Sequence, residues 1–191
     1  MDNAFKYFDK TKNNIPRKNI RKFLDMKIKP GICIDLGCGA GNDTIFLIKN
    51  GWKAIAIDKE NTENIIRNNL DKEEQNYLKF EIQDFKNIIL KPCNLLVGNL
   101  SLSFCDRKYF NGLWNKIVNS ISKDGYFVGN FFGINDTWAN RANMIFFTKE
   151  YVLNLFSDFK IIDFKEIEKD GKTALGKTKH WHIFNVIAKK I

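Results

Sequence analysis

The sequence contains little cysteine, and the four cysteines are scattered singly. None forms a pair at the two-residue spacing of zinc or thioredoxin-like sites, so we expect free thiols. No apolar run approaches the length that crosses a membrane. The N-terminus also lacks the apolar core and small-residue cleavage site of a secretory signal. These absences argue against a membrane or secreted protein, and we expect a cytoplasmic location.

Arginine is scarce as well. Only five of the 31 basic residues are arginine, although the formal net charge is +9. A basic surface favours approach to phosphates, but specific phosphate and base recognition tends to use arginine. The charge therefore leaves a nucleic-acid partner open without favouring one over a small molecule.

The length of 191 residues suits a single domain, residues 1–191, with one full core. Within residues 1–30, apolar side chains recur at helical spacing at Ile20, Phe23, Leu24 and Ile28. We expect one amphipathic helix that begins at Pro16 and stops before Pro30. Residues 1–30 would form a helical cap over a core of residues 31–191.

Strand-like and helical patterns alternate along this core. Strands are predicted at "GICIDL", "KAIAID", "YLKFEIQ", "CNLLVGNL" and "GYFVGNFFG", and helices at "DTIFLIKN", "NTENIIRNNLDKEEQ", "DRKYFNGLWNKIVNSIS" and "TKEYVLNLFS", the last capped by Thr148. This alternation indicates parallel βαβ units with helices on both faces. The last two strand-like runs, "FKIIDFKEIEK" and "HWHIFNVIAKK", are joined by a connection too short for a crossover helix, so they should pair as a hairpin. The predicted fold is an α/β, Rossmann-like, doubly wound sheet of seven strands, mostly parallel.

Three glycines follow the first strand, in the pattern Asp35-x-Gly37-x-Gly39-x-Gly41. In a doubly wound sheet this first turn is the usual nucleotide loop. Asp58 ends the second strand about twenty residues further on, where a carboxylate can accept hydrogen bonds from ribose hydroxyls. After the third strand, Asp84 could take the adenine amine while the amide of Phe85 faces a ring nitrogen. A tight turn without a ligand is the alternative.

A dinucleotide loop has a glycine at the sixth position, where this chain has Asn42. The alternating pattern instead resembles motif I of the class I S-adenosylmethionine-dependent methyltransferases. The resemblance implies S-adenosylmethionine as cofactor and a seventh strand inserted antiparallel between the fifth and sixth. It also implies that Lys59 beside Asp58, and the main chain near Asn99, contact the cofactor. An NAD-dependent oxidoreductase is the less favoured reading.

The segment after the fourth strand indicates which kind of molecule accepts the methyl group. Asn99 is followed by Leu100 and Ser101, without the prolines typical of enzymes that methylate amine nitrogens of bases. The stretches "FGINDTWANR", "MIFFTKEYV" and "DGKTALGKTKHWHIFNVIAKK" resemble a group of short bacterial class I enzymes described as tellurite-resistance-like. The resemblance implies a small-molecule or metalloid acceptor. Our candidate substrate contacts are Phe104, Trp138 and Arg141.

Two histidines, His180 and His182, are spaced to share one face of a strand. They could act as a general base for an oxygen acceptor or bind a metal. They could also flank Trp181 on the sheet surface and contact hydroxyls or water. No third ligand is evident from the sequence, so no metal site is predicted.

These patterns together predict an S-adenosylmethionine-dependent methyltransferase acting on a small-molecule acceptor. One alternative is an RNA methyltransferase that docks through its basic N-terminal helix. Another is a cofactor-binding protein without transfer activity. The sequence leaves the acceptor atom and the oligomeric state open.

Overall fold

The computed structural model describes residues 3–191, with side chains from residue 6 onward. Seven strands form one sheet: β1 Ile32–Leu36, β2 Lys53–Asp58, β3 Leu78–Ile82, β4 Cys93–Gly98, β5 Ile121–Phe132, β6 Phe159–Lys172 and β7 Thr178–Lys190. Their order is β3-β2-β1-β4-β5-β7-β6, and β7 lies antiparallel between β5 and β6. The other neighbouring strands pair in parallel. The structure confirms the predicted α/β, Rossmann-like sheet and its terminal hairpin.

Within residues 3–191, six α-helices accompany the sheet: α1 Asn3–Thr11, α2 Lys18–Asp25, α3 Asn42–Lys49, α4 Glu63–Arg67, α5 Arg107–Ser120 and α6 Lys149–Leu155. Two of these helices, α5 and α6, have a side-chain cap at the N-terminus. Asp106 accepts a hydrogen bond from the N–H of Lys108 at the beginning of α5, and Thr148 accepts one from Tyr151 at the beginning of α6. Such caps satisfy N–H groups that the first helical turn leaves unpaired. The predicted cap at Thr148 is confirmed.

Two predicted helices differ from the structure. The helix expected over residues 61–75 is only α4 followed by a 3₁₀ turn at Glu74–Tyr77. Between them, the carboxylate of Asp71 accepts hydrogen bonds from the N–H groups of Glu73 and Glu74, so side-chain bonding replaces helical bonding there. The N-terminal segment forms two helices, α1 and α2, rather than one. The second ends at Asp25, two residues before Lys27 takes a left-handed conformation, with φ +54°.

The two faces of the sheet carry separate cores, because successive side chains of a strand point to opposite faces. One core joins the sheet to α5 and α6 and is rich in aromatic rings, including Trp114, Phe127, Phe131 and Phe156. The other joins the sheet to α2 and α3, and Trp52 is its largest side chain. Asp35 lies on this second face, which therefore carries the carboxylates described below.

The β6–β7 hairpin extends beyond the residues of β7 that pair with β5. β5 pairs with residues 183–189 of β7, whereas residues 178–182 pair with β6 alone. The overhanging part lies at the carboxyl end of β5, beside the 133–147 connection. Within the overhang, Lys179 and Trp181 share the face of Ile183, whereas His180 and His182 point to the other face.

Among residues 3–191, the structure contains no helix with the length and apolar character needed to cross a bilayer.

Candidate functional site

The glycine loop, residues 37–41, joins β1 to α3 at the carboxyl edge of the sheet. The N–H groups of Gly37 and Cys38 both donate to the carbonyl of Ile57, at 2.8 and 3.1 Å, which fixes the loop to β2. Gly37 has φ +68°, and a Cβ added there would lie 2.4 Å from Cβ of Ser101. At Gly41, φ is +78°, and an added Cβ would lie 2.4 Å from Cγ1 of Ile66. Both positions require glycine for backbone conformation and for space.

Gly37→Ala should lower the free energy of unfolding by about 1–3 kcal/mol, because a left-handed alanine and an overpacked contact with Ser101 both destabilise the fold. Urea unfolding measures this change. Gly112→Ala in α5 is the matched control, since its added Cβ meets no described atom within 4 Å and should stabilise the helix by about 0.5–1 kcal/mol. Equal effects of the two substitutions on the free energy of unfolding would contradict the close approach of Ser101 to Gly37.

Asp58 lies at the end of β2 and points at the glycine loop. Its side chain is buried, and the carboxylate accepts hydrogen bonds from the N–H of Gly39 at 2.9 Å and the N–H of Glu60 at 3.1 Å. The neighbouring Lys59 is exposed. The structure thus places the candidate ribose carboxylate against the middle of the loop.

Asp84 and Phe85 follow β3 at the same edge of the sheet. Asp84 is exposed, and its carboxylate accepts a hydrogen bond from the N–H of Lys86 at 2.8 Å. The half-buried ring of Phe85 borders the glycine loop, since its Cζ lies 3.6 Å from a Cβ added at Gly37. The structure therefore brings Phe85 to the loop, with Asp84 preceding it, and the contacts of both residues with adenine remain a prediction.

Asp35 lies buried beneath the loop and links β1 to α3. It accepts a hydrogen bond of 2.5 Å from the hydroxyl of Thr44. Burial, followed by the nearby charge of Asp43, raises the pKa of Asp35 to about 7, although the Thr44 hydrogen bond opposes the rise. Asp35 thus ties the end of β1 to the first turn of α3, on either side of the loop.

Asp35 should make stability depend on pH. Because its pKa is raised on folding, the folded protein keeps a proton that the unfolded chain releases between about pH 4 and 7, so the free energy of unfolding falls as pH rises across that window. Asp35→Asn should reduce this fall, as measured by urea unfolding at several pH values. Thr44→Val should extend it to higher pH, because the Thr44 hydroxyl holds the pKa of Asp35 down. An unchanged profile in Asp35→Asn would contradict the assignment.

A buried polar network, formed by Asn19, Asp43, Asn99 and Asn130, was not predicted from the sequence. Asp43 accepts hydrogen bonds from the N–H of Arg17 and the side-chain amide of Asn99, both at 2.8 Å. The side-chain oxygen of Asn99 accepts from Asn19 at 2.7 Å and from Asn130 at 3.2 Å. Burial raises the pKa of Asp43. The network ties α2 to the carboxyl ends of β4 and β5 and occupies the side chain of Asn99, which was expected to contribute through its main chain.

The turn after β4 combines strain with an unpartnered hydroxyl. Leu100 has φ +50°, unusual for a residue other than glycine, and its N–H donates to the side-chain oxygen of Asn130 at 2.8 Å. The next hydroxyl, Oγ of Ser101, is buried and has no hydrogen-bond partner among the residues the structure describes. It lies 3.2 Å from a Cβ added at Gly37. Strain and orphaned polar atoms concentrate at ligand sites, and Ser101 is a candidate that sequence reasoning missed.

The N-terminal segment covers the glycine loop. The buried ring of Phe8 in α1 comes within 3.5 Å of a Cβ added at Gly39, and the carbonyl of Thr11 accepts a hydrogen bond from the Asn42 amide at 2.9 Å. The basic side chains proposed to dock RNA (Lys10, Lys12, Arg17, Lys18, Arg21 and Lys22) are exposed. Two of them are paired, Lys12 with Asp9 and Lys22 with Asp163, which reduces the free charge of this surface.

The candidate substrate residues lie together beyond Ser101. The ring of Phe104 is 6.2 Å from the ring of Trp138, and the guanidinium of Arg141 lies 4.2 Å from the Trp138 ring. Beneath them, the ammonium of Lys179 is fully buried and pairs with the buried carboxylate of Asp136. Sequence reasoning missed this pair, because nothing in the local pattern marks a buried lysine.

The two histidines share one face of β7, as predicted. Nδ1 of His182 accepts a hydrogen bond from the N–H of Asn135 at 3.2 Å, and Nε2 lies 3.1 Å from the carboxylate of Glu166. His180 lies between Asp170 at 2.7 Å and Glu168 at 3.3 Å, and these hydrogen bonds raise its pKa. Both imidazoles thus contact carboxylates of β6, on the face away from Trp181, and their catalytic role remains a prediction.

One group of side chains has the spacing of a metal site. Ligand atoms of Glu166, Glu168 and His182 lie within 4.8 Å of one another. Glu166 also pairs with Lys149 at 3.2 Å, and Glu168 contacts His180. The group is therefore satisfied by neighbouring side chains, and we assign no metal to it.

Comparison with known proteins gives a family and a fold. A family model described as tellurite resistance protein TehB matches residues 3–174. Among solved structures, TehB from Haemophilus influenzae superposes with a TM-score of 0.80 at 16% identity, covering 96% of this chain and 65% of that one. This chain thus spans about two thirds of the length of that relative. No curated protein sequence matches it significantly.

Two further structures share the fold at low identity. The Burkholderia thailandensis 1,6-didemethyltoxoflavin-N1-methyltransferase, with bound 1,6-didemethyltoxoflavin and S-adenosylhomocysteine, gives a TM-score of 0.70 at 16% identity, covering 91% of this chain and 77% of that one. The N-methyltransferase NodS from Bradyrhizobium japonicum WM9, with S-adenosylhomocysteine, gives 0.68 at 13% identity and covers 99% of both chains. The sheet order, the glycine loop and the family match over residues 3–174 lead to one assignment: the chain belongs to the tellurite resistance protein TehB family.

Proposed function

We propose that this protein is an S-adenosylmethionine-dependent methyltransferase that acts on a small-molecule acceptor. The observation that carries the proposal is the glycine loop with the Asp58 carboxylate on the N–H of Gly39 and the unpartnered Ser101 hydroxyl beside Gly37. Structures of the same fold from Burkholderia thailandensis and Bradyrhizobium japonicum hold S-adenosylhomocysteine, which supports the choice of cofactor.

The loop fits this cofactor better than a dinucleotide. Its sixth position is Asn42, whose side-chain amide donates to the carbonyl of Thr11, where a dinucleotide loop has the glycine that admits the pyrophosphate. The buried carboxylate of Asp58 beside the loop would attract a sulfonium and an ammonium. The missing glycine argues against the NAD-dependent alternative.

Each candidate residue has a place in this proposal. Asp58, with Lys59 beside it, would accept hydrogen bonds from the ribose hydroxyls, and Asp84 and Phe85 would hold the adenine. Gly37, Gly39 and Gly41, with the Ser101 hydroxyl, would hold the amino-acid end near the main chain of Asn99. The whole chain, residues 1–191, acts in this proposal as one methyltransferase domain, with residues 1–30 as its helical cap.

The cofactor supplies an activated methyl group on a sulfonium, so the chain's own task is to align the acceptor and to exclude water. The buried network of Asp43 and Asn99 fixes α2 against the edge of the sheet, and Phe8 covers Gly39 from the N-terminal side. Water exclusion favours transfer to the acceptor over hydrolysis. His180 and His182 would act as general bases only for an acceptor that reaches the face of β7 away from Trp181.

Calorimetric titration tests the cofactor. We expect binding of S-adenosylmethionine and S-adenosylhomocysteine and no binding of NAD⁺ at equal concentration, because Asn42 stands where a dinucleotide loop needs the glycine that admits the pyrophosphate. Transfer of a tritiated methyl group to small-molecule acceptors would then separate an enzyme from a cofactor-binding protein. Transfer to RNA that weakens steeply with salt would support the nucleic-acid alternative instead.

A further inference from the structure

An aromatic wall, whose inner ring Phe132 is buried, lies beyond Ser101 at the candidate site. This aromatic wall consists of Phe104, Phe132, Trp138 and Trp181. The ring of Phe104 lies 6.1 Å from Phe132 and 6.2 Å from Trp138, and the Trp138 and Trp181 rings are 5.9 Å apart. Phe104 is 49% exposed although it belongs to this packed group. An exposed ring at the end of a rigid aromatic surface is suited to stack on a ligand ring.

The wall begins next to the glycine loop. Ser101, which abuts Gly37, directly precedes the 3₁₀ turn Leu102–Phe104. The hydroxyl of Ser103 accepts a hydrogen bond from the N–H of Phe132 at 2.9 Å, which fixes this turn to the end of β5. Phe104 therefore lies three residues beyond the Ser101 hydroxyl, in a turn held at the carboxyl end of β5.

Two cations lie against the rings of the wall. Lys179 is 1% exposed, pairs with Asp136 and has its ammonium 4.2 Å from the Trp138 ring and 4.3 Å from the Trp181 ring. It supports the wall from behind and is neutralised there. The exposed guanidinium of Arg141 lies 4.2 Å from the ring centre of Trp138. Guanidinium groups and aromatic faces together favour flat π-systems.

We propose that the acceptor is a flat aromatic or heteroaromatic molecule that stacks on the exposed ring of Phe104, with the inclined ring of Trp138 at its edge. This inference rests on the proposed methyltransferase function. The lone pair of an oxygen, nitrogen or sulfur atom on the acceptor forms a bond to the methyl carbon while the carbon–sulfur bond breaks. The electron pair of the broken bond stays on sulfur, and the proton of the acceptor leaves to water.

A matched pair of probes tests this inference. 2-Naphthol is flat, whereas decahydro-2-naphthol carries the same hydroxyl on a saturated frame. By calorimetry, with saturating S-adenosylhomocysteine, we expect 2-naphthol to bind about three- to tenfold more tightly, because aromatic stacking adds to area burial. Equal binding of the two probes, or tighter binding of sodium tellurite than of 2-naphthol, would overturn the inference.

The variant Phe104→Leu tests whether the aromatic wall causes the preference for 2-naphthol over decahydro-2-naphthol. It keeps apolar bulk but removes the ring, so the two probes should bind within about twofold of each other. Tyr77→Leu, which removes a partly exposed ring before β3, should keep the full preference. A preference that survives Phe104→Leu would refute the stacking site.

The outcome also separates this inference from the function on which it rests. If S-adenosylhomocysteine binds but the naphthol preference is absent, the acceptor class alone is wrong. If S-adenosylhomocysteine does not bind, the proposed function fails. The same probe pair, titrated without the cofactor, then still decides whether the wall binds flat rings.

Discussion

Asp58→Ala should weaken the binding of S-adenosylmethionine by about 1–3 kcal/mol, or roughly 5- to 150-fold in Kd. Two effects add. The ribose hydroxyls would lose a charged acceptor, and the N–H of Gly39 would lose its 2.9 Å partner, which loosens the middle of the glycine loop. Calorimetric titration of the variant with S-adenosylmethionine and S-adenosylhomocysteine measures the loss.

Asp71→Ala is the matched control for this experiment. Like Asp58, Asp71 has a carboxylate that accepts hydrogen bonds from two backbone N–H groups, here those of Glu73 and Glu74. It is exposed and lies in the connection between β2 and β3, away from the glycine loop. The control should therefore bind the cofactor as the unmodified protein does. Unchanged affinity in Asp58→Ala would remove the main support for the cofactor assignment.

Lys179→Met should lower the free energy of unfolding by about 3–5 kcal/mol, because it leaves the Asp136 carboxylate buried without its cation. Asp136 also accepts hydrogen bonds from the N–H groups of Trp138 and His182, so the 133–147 connection should loosen against β7. Urea unfolding gives the change in stability.

The double variant Lys179→Met, Asp136→Asn separates charge from packing. Asparagine keeps an oxygen for the N–H of Trp138, and no buried charge remains, so most of the lost stability should return. Lys189→Met breaks an exposed pair with Asp124 and should cost less than about 1 kcal/mol. If Lys179→Met were no more damaging than Lys189→Met, the pair would have no structural importance.

The local patterns predicted the framework of the fold well. The strand "KAIAID" is β2 to the residue, and the short connection between the last two runs gives the observed hairpin. Thr148 begins α6 as expected. These features depend on neighbours in sequence, such as side-chain periodicity, a capping hydroxyl or a loop too short for a crossover. The helix predicted over residues 61–75, between β2 and β3, was wrong in its length. The Asp71 side chain there accepts hydrogen bonds from N–H groups that a continuous helix would use.

The candidate cofactor loop was also accessible from sequence, since glycines at alternate positions after a strand have few other uses. The network beside it was not. Asp43 and Asn99 are 56 residues apart, and Asn19 and Asn99 are 80 apart. Each is a polar residue near the end of a helix or strand. They become hydrogen-bond partners only because the fold brings those ends together.

The sequence by itself determined the alternating sheet, the glycine loop and Asp58 at the end of β2, because chain-local geometry dictates all three. The tertiary structure alone decided which polar groups are buried together. It paired Lys179 with Asp136 across 43 residues, turned His180 and His182 toward carboxylates of β6, and left the hydroxyl of Ser101 beside Gly37 without a partner in the described part of the chain. The physical reason is that burial and pairing depend on which distant segments the sheet order makes neighbours, and no local pattern encodes that order.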